Sequence, residues 1–344
     1  MTASPLLSVR HLTTEFRLDD GQVARALEDV SFDVLPSQTV GLVGESGCGK
    51  TTTVLSVMRL LPGNARITGG TVLFRDTDLL TLGEPEMRRH RWKDIAIVFQ
   101  GAMNALNPVM KIADQVREPI LQHDLMDRDA ADRRVDELLE LVGIPRARRN
   151  QYPHQFSGGM RQRAMIAMAL ACSPDLLFAD EPTTALDVMI QAQVFELFKR
   201  IQAELGLAIV LVTHDLGIVA EMCDVVVVMY GGMVAEVGPV DAVYNEPQHP
   251  YTQRLLAAFP DPSLAADLPA GGQDLATIPG TPPRLNALPP GCRFEPRCDR
   301  RMDRCREASP ALVDVAVTGS GSTHRAACHL LGGRETGGPE AGGA

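Results

Sequence analysis

Aromatic residues are scarce in this 344-residue chain: 4% of the total, with one Trp, Trp92. That scarcity argues against platforms that stack nucleic-acid bases. Positive charge is short as well. Lys and Arg number 33 against 43 Asp and Glu, a formal net charge of −10. Proteins that grip phosphate backbones are ordinarily basic, so nucleic acid is not an expected partner. Long apolar runs are missing. The most apolar stretches, 164–172, 176–179 and 225–230, are brief and interrupted, whereas a spanning helix needs about 20 apolar residues in a row. The first residues, MTASPLLSVRHLTTEF, lack the charged start and apolar run of a secretory signal. The expectation is a soluble, cytosolic protein that reaches any membrane through partners.

What remains is ordinary globular material. With 45% hydrophobic residues the chain can bury a sizeable core, and its length suits about two domains. Residues 1–40 alternate as strands do, with turn chemistry at Asp19-Asp20-Gly21. The apolar run 40–43 breaks at Gly44, a buried strand feeding a loop. From about 101 to 159 the pattern is helical, and Val135, Leu138, Leu139 and Val142 share one face. Residues 176–179 and 209–212 read as buried strands. Between them Ile190, Val194, Leu197, Phe198, Ile201 and Leu205 form a helix face. Strand–helix–strand alternation predicts an α/β core with a parallel sheet. Prolines crowd the chain after Phe259, which reads as an extended linker or strap. The tail 332–344 is expected to be disordered.

The segment Gly44-Glu45-Ser46-Gly47-Cys48-Gly49-Lys50-Thr51-Thr52 fits G-x-x-x-x-G-K-[ST]. Glycines let the backbone curl so that successive N–H groups face phosphate oxygens. The helix that follows presents its positive end to the same anion. Lys50 then reaches the β- and γ-phosphates of ATP, and the Thr51 hydroxyl ligates Mg²⁺. The strand 176–179 ends in Asp180-Glu181. Asp180 is placed to hold Mg²⁺ through water, and Glu181 to polarise the attacking water.

Between these motifs lies Phe156-Ser157-Gly158-Gly159-Met160-Arg161-Gln162-Arg163. It resembles the LSGGQ signature of ATP-binding cassette (ABC) ATPases. Gln100 resembles the Q-loop glutamine, Ala185-Leu186-Asp187 the D-loop and His214 the switch histidine. Phe16 falls where the family stacks an aromatic on adenine. Over about 6–260, this resemblance implies a RecA-like P-loop core, an antiparallel β-subdomain and a helical signature subdomain at about 101–165. It implies a head-to-tail dimer in which Ser157, Gly158, Gly159 and Asp187 serve ATP at the partner's phosphate loop. It also implies Gln100 at the Mg²⁺ and the membrane contact. Ser157–Gly159 precede the helical run 160–171, so their N–H groups form a second anion cup.

The tail narrows the resemblance. Gly238-Pro239, Pro247-Gln248-His249-Pro250-Tyr251-Thr252 and Ile278-Pro279-Gly280-Thr281-Pro282-Pro283 resemble ATPases of oligopeptide, dipeptide and nickel importers, and the Met-Arg signature resembles their D-type subunit. That implies a 1–260 nucleotide-binding domain and a Cys-rich C-terminal extension at 261–331. Expected partners are a homologous F-type ATPase subunit, two membrane permease subunits and an extracytoplasmic substrate-binding protein, at the cytoplasmic face of the inner membrane. Nickel or another small solute is the alternative cargo. A soluble DNA-repair ATPase is a distant one, because about 57 residues between Gln100 and Ser157 leave no room for a long coiled coil.

Cys48, Cys172 and Cys223 are isolated and read as buried small hydrophobes. Cys292, Cys298, Cys305 and Cys328 crowd together without a C-x2-C pair, which disfavours zinc. Six arginines between 293 and 306 would lower the thiol pKa values and offset cluster charge. Some relatives of this tail are associated with a [4Fe–4S] cluster, so the resemblance favours one here. Zinc or unmetallated thiols stay open, and His329 is a substitute ligand.

Overall fold

The structure, a computed structural model, describes residues 4–99, 101, 105–184, 186–258, 277–315 and 323–332. The predicted Q-loop glutamine, Gln100, lies outside them, as do Ala185 and the tail from 333 onward.

The alternating N-terminal residues build an antiparallel sheet. Strand β1 (Leu7–Arg17) lies between β2 (Val23–Val34) and β4 (Ala65–Phe74), with β5 (Thr77–Asp78) at the edge. The second sheet has eight strands. Its centre is β3 (Thr39–Val43), flanked by β8 (Ala208–Val212) and β9 (Val225–Tyr230). Beyond β8 come β7 (Leu176–Asp180) and β6 (Ile95–Val98), and all five strands run parallel. Every residue of β3, β7 and β8 is buried, as parallel strands covered on both faces require. The C-terminal ends of β3 and β7 flank that of β8, the edge where open α/β sheets bind ligands.

One face of the large sheet packs on the antiparallel sheet and on α1 (Lys50–Val57). The other packs on α3 (Ile112–Gln122), α4 (Arg128–Leu141), α5 (Gly158–Ala169) and α6 (Val188–Leu205). Helix α2 (Glu84–His90) precedes β6. Val135, Leu138, Leu139 and Val142 are fully buried, as their spacing predicts. Leu205 is not: it is 47% exposed, because it ends α6 just before the left-handed Gly206. Helix α5 starts at Gly158 rather than Met160, with Ser157 as N-cap accepting the Met160 N–H at 3.3 Å. Gly158 and Gly159 therefore occupy its first turn. A Cβ at Gly159 would stand 2.7 Å from Ile190, so the glycine lets α5 approach α6.

The C-terminal segment is more than a strap. Strand β10 (Met233–Pro239) pairs with β9, and the sheet continues through β12 (His324–Ala326) and β11 (Val313–Val315). Three-residue strands carry no readable alternation. They are registered by the fully buried Glu236, whose carboxylate lies 2.7 Å from His324 Nε2 and accepts the Gln248 and His249 N–H groups at 2.8 and 2.9 Å. Among the described residues, no helix is long and apolar enough to cross a membrane.

Candidate active site

The loop between β3 and α1 curls through Gly44, Gly47 and Gly49, all at positive φ. Lys50 is buried, and its Nζ donates to the Gly44 and Glu45 carbonyls at 2.7 and 3.1 Å. The ammonium is thus held inside the ring of backbone that a phosphate would enter. Cys48 packs under the loop, and burial raises its thiol pKa, although Lys50 pulls it down. Thr52 and Ser46 complete the loop and first turn, and the Thr52 carbonyl accepts the Ser56 hydroxyl at 2.7 Å.

The two carboxylates arrive from the end of β7. Thr51 Oγ1 donates to Asp180 Oδ1 at 3.2 Å, so the hydroxyl and carboxylate expected to share Mg²⁺ already meet. Asp180 is almost fully buried. Burial pushes its pKa up, aided by the neighbouring Glu181 charge, while Thr51 and Lys50 pull it down. A cation delivered here would relieve that cost. Glu181 sits at φ 43°, a left-handed conformation unusual for a side-chain-bearing residue. Its N–H donates to the Val212 carbonyl at 2.9 Å, and its Oε2 accepts the Thr184 hydroxyl at 3.0 Å. His214 lies 3.6 Å from Glu181 Oε1, with its side chain 71% exposed. Together these groups could fix a metal-bound polyphosphate and orient water beside it.

The other expected residues belong to other elements of this chain. Asp187 caps α6, accepting the Ile190 N–H at 3.0 Å. Ser157, Gly158 and Gly159 open α5. Phe16 is half-buried on β1 beside a cleft of about 510 Å³ shared with Glu15, Arg17, Asn64 and Arg66. The sequence reading missed two residues at the loop. Tyr251, on α9 (Pro250–Ala257), accepts the Glu45 N–H on its hydroxyl at 2.9 Å. Arg297 meets the Glu45 carboxylate at 2.6 Å. Tyr251 lies in a motif noted only for its resemblance, and Arg297 was read only as a charge beside the cysteines.

The terminal cysteines fall together, but not as expected. The Cys292 N–H donates to the Cys305 carbonyl at 2.7 Å. Burial raises Cys292 to about 11, with further upward pushes from Cys305, Cys328 and Cys298. Burial raises Cys298 and Cys328 as well. The backbone N–H groups of Phe294, Arg300 and Leu330 face the sulfurs of Cys292, Cys298 and Cys328, the kind of donor that metal-bound thiolates use. The lowering expected from the arginines is outweighed by burial: Arg300 does pull Cys328 down, but three of the six are engaged elsewhere. Arg293 is bonded to Glu28 and the Gly231 carbonyl, Arg297 to Glu45, and Arg306 to Glu295. His329 Nε2 is 2.9 Å from the Ala308 carbonyl, which occupies that nitrogen. Among the described residues, no group of three or more His, Cys, Asp or Glu is set to hold a metal ion. The donor set suits thiolate ligation in kind, but the sulfurs are not closed on a single ion.

Comparison with known proteins agrees with this geometry. The family described as "ABC transporter" matches residues 27–184, and "Oligopeptide/dipeptide transporter, C-terminal region" matches 235–305. A dipeptide transport ATP-binding protein, DppD, of Bacillus subtilis is 49% identical over 89% of this chain and 90% of its own length. A putative peptide import ATP-binding protein of Brucella ovis is 48% identical over 92% of this chain and 95% of its own. Among solved structures, a dimeric ATP-binding cassette in a post-hydrolysis state with ADP and Pi matches with a TM-score of 0.61 and 27% identity. That match covers 68% of this chain and 98% of the cassette.

Proposed function

The chain belongs to the ABC transporter family of ATPases, and from that premise we propose that it is the ATP-hydrolysing subunit of a membrane importer of peptides. The observation that carries the chemistry is the meeting of Thr51 and Asp180 beside the buried Lys50. The relatives' shared naming carries the cargo.

In this reading the loop N–H groups and Lys50 bind the β- and γ-phosphates, while Thr51, Asp180 and Gln100 hold Mg²⁺. Glu181 takes the proton of the attacking water, and His214, 3.6 Å from it, steadies the γ-phosphate. Phe16 carries the adenine. Ser157, Gly158, Gly159 and Asp187 act on the ATP of a partner, because free N–H groups at a helix start make an anion cup. The partner is a homologous F-type ATPase subunit in a head-to-tail heterodimer. ATP-driven closure moves two permease subunits fed by an extracytoplasmic binding protein, with this chain on the cytoplasmic face of the inner membrane. Residues 1–260 form the nucleotide-binding unit, and 261–331 the extension.

We further assign Cys292, Cys298, Cys305 and Cys328 to a [4Fe–4S] cluster. Cys292 lies near enough to Cys298, Cys305 and Cys328 for their charges to push its pKa up, and that proximity, with backbone N–H groups beside three of the sulfurs, supports it. When bound, such a centre supplies a cross-link among four positions of a segment too small for its own core.

Glu181→Gln tests the ATPase reading. It should leave MgATP binding intact and slow single-turnover hydrolysis at this chain's site by about 10²–10⁴. Unchanged single-turnover hydrolysis would refute the assignment.

A further inference from the structure

Glu45 is the most tethered residue of the phosphate loop, and most of its tethers come from far along the chain. Arg297 Nη1 donates to Glu45 Oε2 at 2.6 Å and Nη2 to Oε1 at 3.0 Å, a two-point fork across 252 residues. The same guanidinium donates to the Tyr230 hydroxyl at 3.2 Å and to the Pro279 and Ile278 carbonyls at 2.8 and 3.3 Å. Its side chain is 5% exposed. Burial works against its charge, but the bonds to Glu45 and Tyr230 prevail and hold its pKa above the ordinary value. The Glu45 backbone is held too. Its N–H donates to Tyr251, and its carbonyl accepts Lys50 at 3.1 Å and the Cys48 N–H at 3.2 Å.

Two physical consequences follow. A loop with three glycines at positive φ has conformational entropy to lose when it closes on phosphate, and anchoring Glu45 removes part of that cost beforehand. Glu45 also sets a carboxylate beside a site for a polyanion. Bidentate pairing with Arg297 cancels that charge, in a shape a lysine would not match.

We propose that Arg297 is a positioning residue for ATP: it fixes the phosphate loop through Glu45 and neutralises that carboxylate, so that nucleotide binding and the order of the segment around 293–298 are coupled. The proposal rests on the ATP-site reading above. Coupling of this kind is reciprocal: if the segment favours ATP, ATP must favour the ordered segment.

The test uses the full-length chain and MgATP, with calorimetric affinity and amide hydrogen exchange as readouts. Arg297→Gln should weaken MgATP roughly tenfold to hundredfold, because it strands a carboxylate at the site. Glu45→Gln/Arg297→Gln, which strands no charge, should recover at least tenfold of a hundredfold loss; a merely structural arginine would show no such rescue. MgATP should slow exchange across 293–298 in the wild type and lose that effect in Glu45→Gln, a change that alters no residue of the segment. Wild-type affinity in Arg297→Gln would overturn the proposal, as would absent rescue together with absent ATP-dependent protection. Lys50→Ala separates the two readings. It should abolish binding by the otherwise normal chain, whereas failure of the wild type to bind MgATP would overturn the ATP site and this proposal together.

Discussion

Gly44 shows how narrowly single residues are specified at the loop. It sits at φ 144°, and a Cβ there would stand 2.2 Å from the Met229 carbonyl oxygen. No rotamer relieves a backbone clash. Gly44→Ala should therefore lower stability by about 2–3 kcal/mol in urea titration and weaken MgATP at least tenfold by calorimetry, since the carbonyl that Lys50 uses moves with it. The glycine and the lysine were legible beforehand, because a phosphate loop encodes its chemistry within nine consecutive residues. The strain at Glu181 was not legible: its left-handed backbone goes with a bond from its N–H to the Val212 carbonyl of β8, a partner 31 residues away.

Among the elements, α9 has the clearest pH response. Its N-cap His249 is almost fully buried, with Nδ1 accepting the Tyr251 N–H at 3.0 Å. Burial depresses its pKa from 6.5 to about 4, although the facing Glu236 charge and the Ala327 carbonyl favour the proton. His324 shares the same Glu236 carboxylate. Between those two values the unfolded chain binds a proton that the folded chain refuses, so stability falls as pH falls. From pH 7 to pH 5 this one group should remove about 2 kcal/mol of unfolding free energy. His249→Gln, measured by urea unfolding at both pH values, should flatten the slope by that amount. Several elements were readable from their periodicity, including α4 and the buried strands β3, β7 and β8. Others were not: β4, β6 and α2 went unread, β11 and β12 are too short for a period, and at the start of α5 the Ser157 cap draws two glycines into the helix.

At the scale of the assembly, the anion cup at the start of α5 should serve a partner. Gly158→Asp puts a carboxylate where an anion is expected. It should leave MgATP affinity at this chain's own loop within about twofold, yet slow hydrolysis at the partner's loop at least tenfold. The check is a mixed complex in which only one site can turn over. The C-terminal segment gives a second measurement on the whole chain. Protein purified without oxygen should carry about four irons and absorb broadly near 400 nm. Cys298→Ser should lose that iron while the phosphate loop still binds MgATP. Stoichiometric zinc without iron would end the cluster assignment and leave the ATPase reading standing.

The sequence alone determined the phosphate loop, the strand that ends in Asp180-Glu181, the signature segment and the α/β alternation. Each is written in neighbouring residues or in a period of two or 3.6, so spacing suffices to read it. Only the tertiary structure decided what surrounds the loop. Tyr251 and Arg297 reach Glu45 across 206 and 252 residues, and no local pattern distinguishes an arginine beside cysteines from one that pairs with a distant carboxylate. The fold settled that choice by burial. A guanidinium 5% exposed needs an acceptor, and the fold brings Glu45 to it.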